Sequence, residues 1–166
     1  MKTNKGFSLV ELIIVIAIIG IVLAIASPSF YKYRQNTNLK EATRELAGDI
    51  SLYRQTAIAQ NVRYRITFNP SGSIYNSYTV QIESPANSGT YVDLLTKSPT
   101  SVSSSIIIMG DASSPSFTGG VPYITIQPRG TMGAGTVWLQ HLDRQSTSTI
   151  TTNLMGRVNV TYDLKY

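Results

Sequence analysis

The chain has no cysteine and a single histidine, and only 14% of its 166 residues are charged, against the quarter usual for a soluble domain. Without cysteine there is no disulfide scaffold, no thiolate zinc site and no thiol nucleophile, and the redox compartment is left open. One histidine and no run of acids leave no basis for a metal site, so neither metal nor cofactor is expected. No G-x-S-x-G elbow presents a serine nucleophile. The glycine-rich TMGAGT (131–136) lacks the lysine and spacing of a phosphate loop and reads as a hairpin turn. His141 and Asp143 stand two apart on an expected strand and share a face, yet a lone histidine in a Ser/Thr-rich domain is expected at the surface. No enzyme is expected. The net charge of +5 includes Lys2 and Lys5; without them the balance is 12 basic minus 9 acidic, or +3. That mild excess does not by itself identify a nucleic-acid binder.

What the chain does have is a hydrophobic run, Leu9 to Ala26, in GFSLVELIIVIAIIGIVLAIASPSF. Eighteen helical residues at about 1.5 Å each span roughly 27 Å, close to the ~30 Å hydrocarbon core of a bilayer. Lys2 and Lys5 precede it and place that end in the cytoplasm. Ala24-Ile25-Ala26 offers the A-x-A of a cleaved secretory signal, but the run is too long for one. It also contains a carboxylate, Glu11, which such a region normally excludes.

Beyond Pro28 the pattern turns amphipathic. Leu39, Thr43, Leu46, Ile50, Tyr53 and Ala57 recur at spacings of three and four, with Lys40, Glu41, Arg44, Glu45 and Asp49 set mainly on the opposite, solvated side. One helix of more than fifty residues is expected, with Pro28 a natural place for a bend. From Val62 the period becomes two. VRYRITFN alternates apolar and polar residues, NPSGS reads as a turn and IYNSYTVQIE as a second strand. Further strands are expected over 90–96, 102–110, 123–128, 135–142 and 157–164, with no repeat and no βαβ rhythm. Tyr123, Trp138 and Tyr162 fit core or cross-strand positions better than base-stacking ones. The fold class is α+β: a long N-terminal helix, its apolar first half membrane-spanning, packed on a C-terminal antiparallel sheet.

Gly6, Phe7 and Glu11, set in a short basic leader followed by an apolar helix, resemble the N-terminus of type IV pilins and type II secretion pseudopilins. FNPSGS (68–73), IQPRGTMGAG (126–135) and MGRVNV (155–160) are similar to the GspH/FimT minor pilins. The resemblance implies a cleaved leader (1–6), a filament-core helix (7–29), an amphipathic half-helix (30–61) and a β-rich domain (62–166). It implies cleavage between Gly6 and Phe7 by a prepilin peptidase, and N-methylation of Phe7. The amine so freed offers Glu11 of a neighbouring subunit a partner in the low-dielectric core of a filament, where an unpaired charge is costly. Gly20 and Pro28 match the places between which pilin helices unwind on assembly.

The implied role is a minor pilin or pseudopilin of a type IV pilus or type II secretion system. Its implied partners are other pilin or pseudopilin subunits and an inner-membrane assembly platform, driven by a separate ATPase. The precursor is expected in the inner membrane with its globular domain in the periplasm, and later in the filament. The alternative is a DNA-binding minor pilin for DNA uptake. Gly156-Arg157 matches that pattern, Asn159 departs from it, and Arg129, Arg144, Arg157 and Lys165 are the candidate phosphate contacts.

Overall fold

The computed structural model describes residues 7–71, 74–110, 122–143 and 145–165. Helix α1 runs Leu9–Gln60 and continues through Pro28 without interruption. Ser8 precedes it; its carbonyl accepts the Leu12 N–H at 3.2 Å, and Glu11 stands in the first turn. That is the serine-to-glutamate spacing of a capping box, and an acid there complements the positive end of the helix dipole. The far end is stopped by Asn61, whose φ of 55° is left-handed, while the Val62 N–H reaches back to the Ala57 carbonyl at 3.3 Å. Those two features make a Schellman cap.

The chain divides between Arg34 and Gln35 into two compact units. In the first, every described side chain of α1 from Leu9 to Ser27 is exposed; Ile18 is 56% and Leu23 63% exposed. In the second, the rest of α1 packs on a sheet. Leu39, Leu46, Ile50 and Ala57 are fully buried, with Thr43 among them and Tyr53 partly covered, as their spacing predicts. Asp49 departs from the expected solvated face: it is buried, because Tyr78 and Lys97 reach it from the sheet.

Among the described residues the sheet has eight antiparallel strands: β1 (Tyr64–Ser71), β2 (Ile74–Glu83), β3 (Tyr91–Lys97), β4 (Ile106–Met109), β5 (Tyr123–Ile126), β6 (Gly135–His141), β7 (Ser146–Thr152) and β8 (Val158–Asp163). Their order is β5-β1-β2-β4-β6-β7-β8, with β3 also on β2. Strand β2 is long enough to serve two neighbours on one edge, β3 along Tyr78–Glu83 and β4 at Tyr75. The alternation read from the sequence sets the inner face: Tyr64, Ile66 and Phe68 of β1, Ile106 and Ile108 of β4, and Val137 and Leu139 of β6 meet the helix.

Two expectations fail here, and one strand has no counterpart among those expected. Strand β7 has no apolar alternation to announce it, because its inward residues include Ser146, Ser148 and Thr152. They are matched by hydroxyl and amide partners on α1: the Ser148 hydroxyl meets that of Thr43, and Ser146 donates to Asn36 Oδ1 at 2.9 Å. His141 is not at the surface but 1% exposed on the inner side of β6, with Nδ1 3.9 Å from Asp143 Oδ2. Residues 131–136 are not a hairpin turn, since β5 pairs β1 while β6 lies between β4 and β7. The reversal falls earlier, where the Gly130 N–H donates to the Gln127 carbonyl at 2.9 Å, and the segment after it carries the chain towards β6. Tyr123, Trp138 and Tyr162 all lie outside the buried core; Trp138 stands opposite Met109 and Thr149 as a cross-strand neighbour.

Candidate functional site

The first site is the exposed half of α1. Thirteen large apolar side chains between Leu9 and Ile25 are more than two-fifths exposed. Burying them is worth roughly 20–40 kcal/mol at about 1.5–3 kcal/mol each, more than the whole stability of a typical domain. Such a surface needs lipid or other helices around it. Leu9–Ser27 is long and apolar enough to cross a membrane. Phe7 is 78% exposed at its start, and Glu11 is exposed one turn on, the acid of an otherwise uncharged stretch. Gly20 has open space where a Cβ would stand, so nothing in the subunit's own packing requires a glycine there. Gly6 lies outside the described residues, and Pro28 sits on continuous helical backbone.

The second site is a junction that sequence reasoning missed. Gly130 and Gly156 each close a turn in the left-handed conformation, with φ of 80° and 79°. A Cβ on Gly156 would fall 2.2 Å from the Gly130 carbonyl oxygen and 2.2 Å from Arg54 Nε, so the position excludes every other residue. Arg54, on α1, donates its Nε–H to the Gly130 carbonyl at 2.8 Å, and its Nη2 lies 3.5 Å from the Met155 carbonyl. One guanidinium thereby ties the helix to both turns. The glycines of PRG and MGR were the available signal; nothing in the sequence pointed to Arg54.

This junction sorts the candidate cations. Arg129 and Arg157 each adjoin one of its two glycines, and both side chains are exposed. Arg54, and neither of these two arginines, ties the helix to the turns. Lys165 is paired with Asp163 at 2.8 Å, which neutralises it locally. Arg144 lies outside the described residues.

Two ionic clusters fasten the domain. Lys97 of β3 meets Glu45 at 3.2 Å and Asp49 at 2.9 Å on α1, and the buried Tyr78 hydroxyl donates to Asp49 at 2.8 Å. The hydrogen bond to Asp49, with help from Glu45, raises the Lys97 pKa despite some burial. Burial first, then the Asp49 hydrogen bond, pushes the Tyr78 phenol far up. At the other end of β2, the Glu83 side chain is 1% exposed beside Arg63 at 3.2 Å, and it accepts the Gly89 N–H at 2.9 Å. Burial alone would raise the Glu83 pKa. The amides of Gly89 and Asn87 and the Arg63 guanidinium outweigh it, so the carboxyl is held below its ordinary value.

An apolar N-terminal helix whose second half packs on an antiparallel sheet defines a pilin-like filament subunit. A family model described as the prokaryotic N-terminal methylation motif matches residues 1–27, and the model described as Type II transport protein GspH matches residues 42–156. The chain therefore belongs to the GspH family of type II transport proteins and is a minor pilin or pseudopilin, of a type II secretion or type IV pilus system. A fimbrial protein of Pseudomonas aeruginosa is 33% identical over 105 residues, 57% of this chain and 68% of the relative. Two solved structures share the fold. The minor pseudopilin EpsH of the Vibrio cholerae type 2 secretion system has a TM-score of 0.56 at 8% identity, over 75% of this chain and 97% of its own. The type IV minor pilin FimU of P. aeruginosa has a TM-score of 0.55 at 13% identity, over 78% and 92%.

Proposed function

We propose that the precursor is cut between Gly6 and Phe7 by a prepilin peptidase, that the freed Phe7 amine is methylated, and that Glu11 pairs with this ammonium on a neighbouring subunit as the helices bundle. The observation that carries the reading is one acid, Glu11, one turn from Phe7 at the start of the stretch Leu9–Ser27, whose apolar side chains are all exposed. In the membrane Glu11 sits near the cytoplasmic interface, where snorkelling and water lower its cost. In a filament core that relief is gone and a fixed cation replaces it, so the pair sets axial register more than it adds stability. Lys2 and Lys5 support an N-terminus in the cytoplasm and a globular domain in the periplasm. The subunits it joins are other pilins or pseudopilins, drawn from the membrane by an assembly platform. Gly20 and Pro28 mark where the helix unwinds on assembly; the open space at Gly20 supports this, because the isolated subunit does not need a glycine there.

Mass spectrometry of the mature protein tests the processing step. N-methyl-Phe7 at the N-terminus is expected, and Ser27 there would point to ordinary secretory cleavage instead.

A second reading, DNA capture by the filament, is favoured by one observation: the touching turns at Gly130 and Gly156 bring the exposed Arg129 and Arg157 to neighbouring positions. Two cations supply few phosphate contacts, so the affinity is weak and strongly salt-dependent. Arg157→Ala is expected to weaken DNA binding at about 50 mM salt; an absence of any binding by the unmodified protein at that salt would remove this reading.

A further inference from the structure

Beside the same junction lies a concave pocket of about 490 Å³, bordered by Asn61, Arg63, Asn87, Gln127, Arg129 and Thr131. Its size is within the range of small-ligand sites, but its walls are polar rather than apolar. Four separate segments build it: the cap of α1, the start of β1, the β2–β3 loop and the β5–β6 turn. No acid is among the lining residues. The nearby carboxylate, Glu83, is already engaged by Arg63 Nη1 at 3.2 Å and the Gly89 N–H at 2.9 Å.

The hydrogen bonds around the pocket leave donors facing a ligand. Gln127 Oε1 accepts from Arg63 Nε at 2.9 Å, which takes up one of its two lone pairs and leaves the amide NH₂ as a donor for a ligand. The Arg63 side chain is still 38% exposed after making both contacts. Arg129 is exposed, and among the described residues no hydrogen bond or ion pair engages its guanidinium. The negative end of the α1 dipole lies at Asn61 and opposes an anion, but it is a partial charge set against the full charge of Arg129 and that of Arg63, which Glu83 offsets in part.

We propose that this pocket is an oxyanion receptor, taking a carboxylate or phosphate group between Arg63 and Arg129. Two guanidiniums and an amide NH₂ match such a group by charge-assisted, bidentate hydrogen bonds. Neither processing nor filament assembly enters this proposal. It also differs from DNA capture, because Arg157 does not line the pocket.

The test is calorimetric titration of the full chain in detergent micelles with inorganic phosphate, citrate and a tetraglutamate peptide, at constant ionic strength. Saturable one-to-one binding is expected for at least one probe. It should weaken roughly tenfold or more in Arg129→Ala, a loss of the size expected for a charge-assisted contact, and stay unchanged in Arg157→Ala and Arg44→Ala. Arg129 makes no contact that the fold needs, so its variant should keep the parent's melting temperature; Arg63→Ala, which also frees Glu83, is read only if it melts like the parent. Stronger binding of tetraglutamate than of phosphate and citrate assigns the site to a carboxylate carried on another protein. The reverse order assigns it to a free anion. No saturable binding by any probe, or an equal loss in Arg157→Ala, overturns the proposal.

Discussion

The two halves of α1 are one helix by backbone and two by solvent. From Leu9 to Ser27 almost every position is apolar and all are exposed; from Gln35 to Gln60 the apolar residues fall mainly in one stripe, which is buried, with Leu52 and Ile58 exposed beside it. A helix buried on one face needs a periodic pattern. A helix covered on all sides by lipid or by like helices needs none. The same residue type therefore does different work on either side of Arg34: Leu46 holds this subunit together, while Leu23 answers to whatever surrounds it.

Substitutions of matched type probe that difference. Gly156→Ala should have the largest effect, about 2–5 kcal/mol of domain stability, from left-handed strain plus the collision with Arg54 and the Gly130 carbonyl. Gly20→Ala, with open space around it, should leave chemical denaturation of the domain unchanged. Leu46→Ala should cost roughly 2–5 kcal/mol by the same measurement, whereas Leu23→Ala should leave domain stability alone and weaken membrane partitioning instead. Equal effects from Leu46→Ala and Leu23→Ala would erase the distinction between the halves, and equal effects from the two glycine substitutions would erase that between the packed domain and the exposed helix. Smaller again, Asp49→Ala should cost about 1–3 kcal/mol, because it leaves the buried Tyr78 hydroxyl without its acceptor and removes one of the two acids on Lys97.

The smallest effect is on pH dependence. A carboxyl whose folded pKa is lowered contributes stability above its unfolded pKa, and that contribution is lost as pH falls through the folded value. Glu83 should therefore stabilise the domain at neutral pH and lose its contribution as the pH falls below the ordinary glutamate range. Denaturant midpoints of Glu83→Gln should lie below those of the parent at neutral pH and converge with them in acid. Lys97 works at the opposite limb: its raised pKa keeps its contribution in place until pH climbs past the ordinary lysine value.

The sequence was most legible where burial is apolar and periodic. The stripe from Leu39 to Ala57 and the alternation of Tyr64, Ile66 and Phe68 each translate directly into a buried face. It was least legible where the interior is polar. Ser146 and Ser148 look like loop residues until Asn36 and Thr43, more than a hundred positions away, are placed above them. Asp49 reads as a solvated charge until Lys97 and Tyr78 arrive from the sheet. Of the candidate residues, Glu11 was visible because an acid stands out in an apolar run. Arg54 was not, because its partners are backbone carbonyls 76 and 101 residues along the chain, and a carbonyl leaves no mark in a sequence.

The central claim is that Glu11 serves the assembled state and not the subunit alone. Its place in the first turn of α1 gives it a local reason to exist, which a neutral glutamine at the same position retains. The decisive measurement is therefore the incorporation of Glu11→Gln into filaments, followed alongside its membrane insertion. The account predicts normal insertion, normal processing to Phe7 and loss of incorporation. Filaments that take up Glu11→Gln as readily as the parent would contradict it.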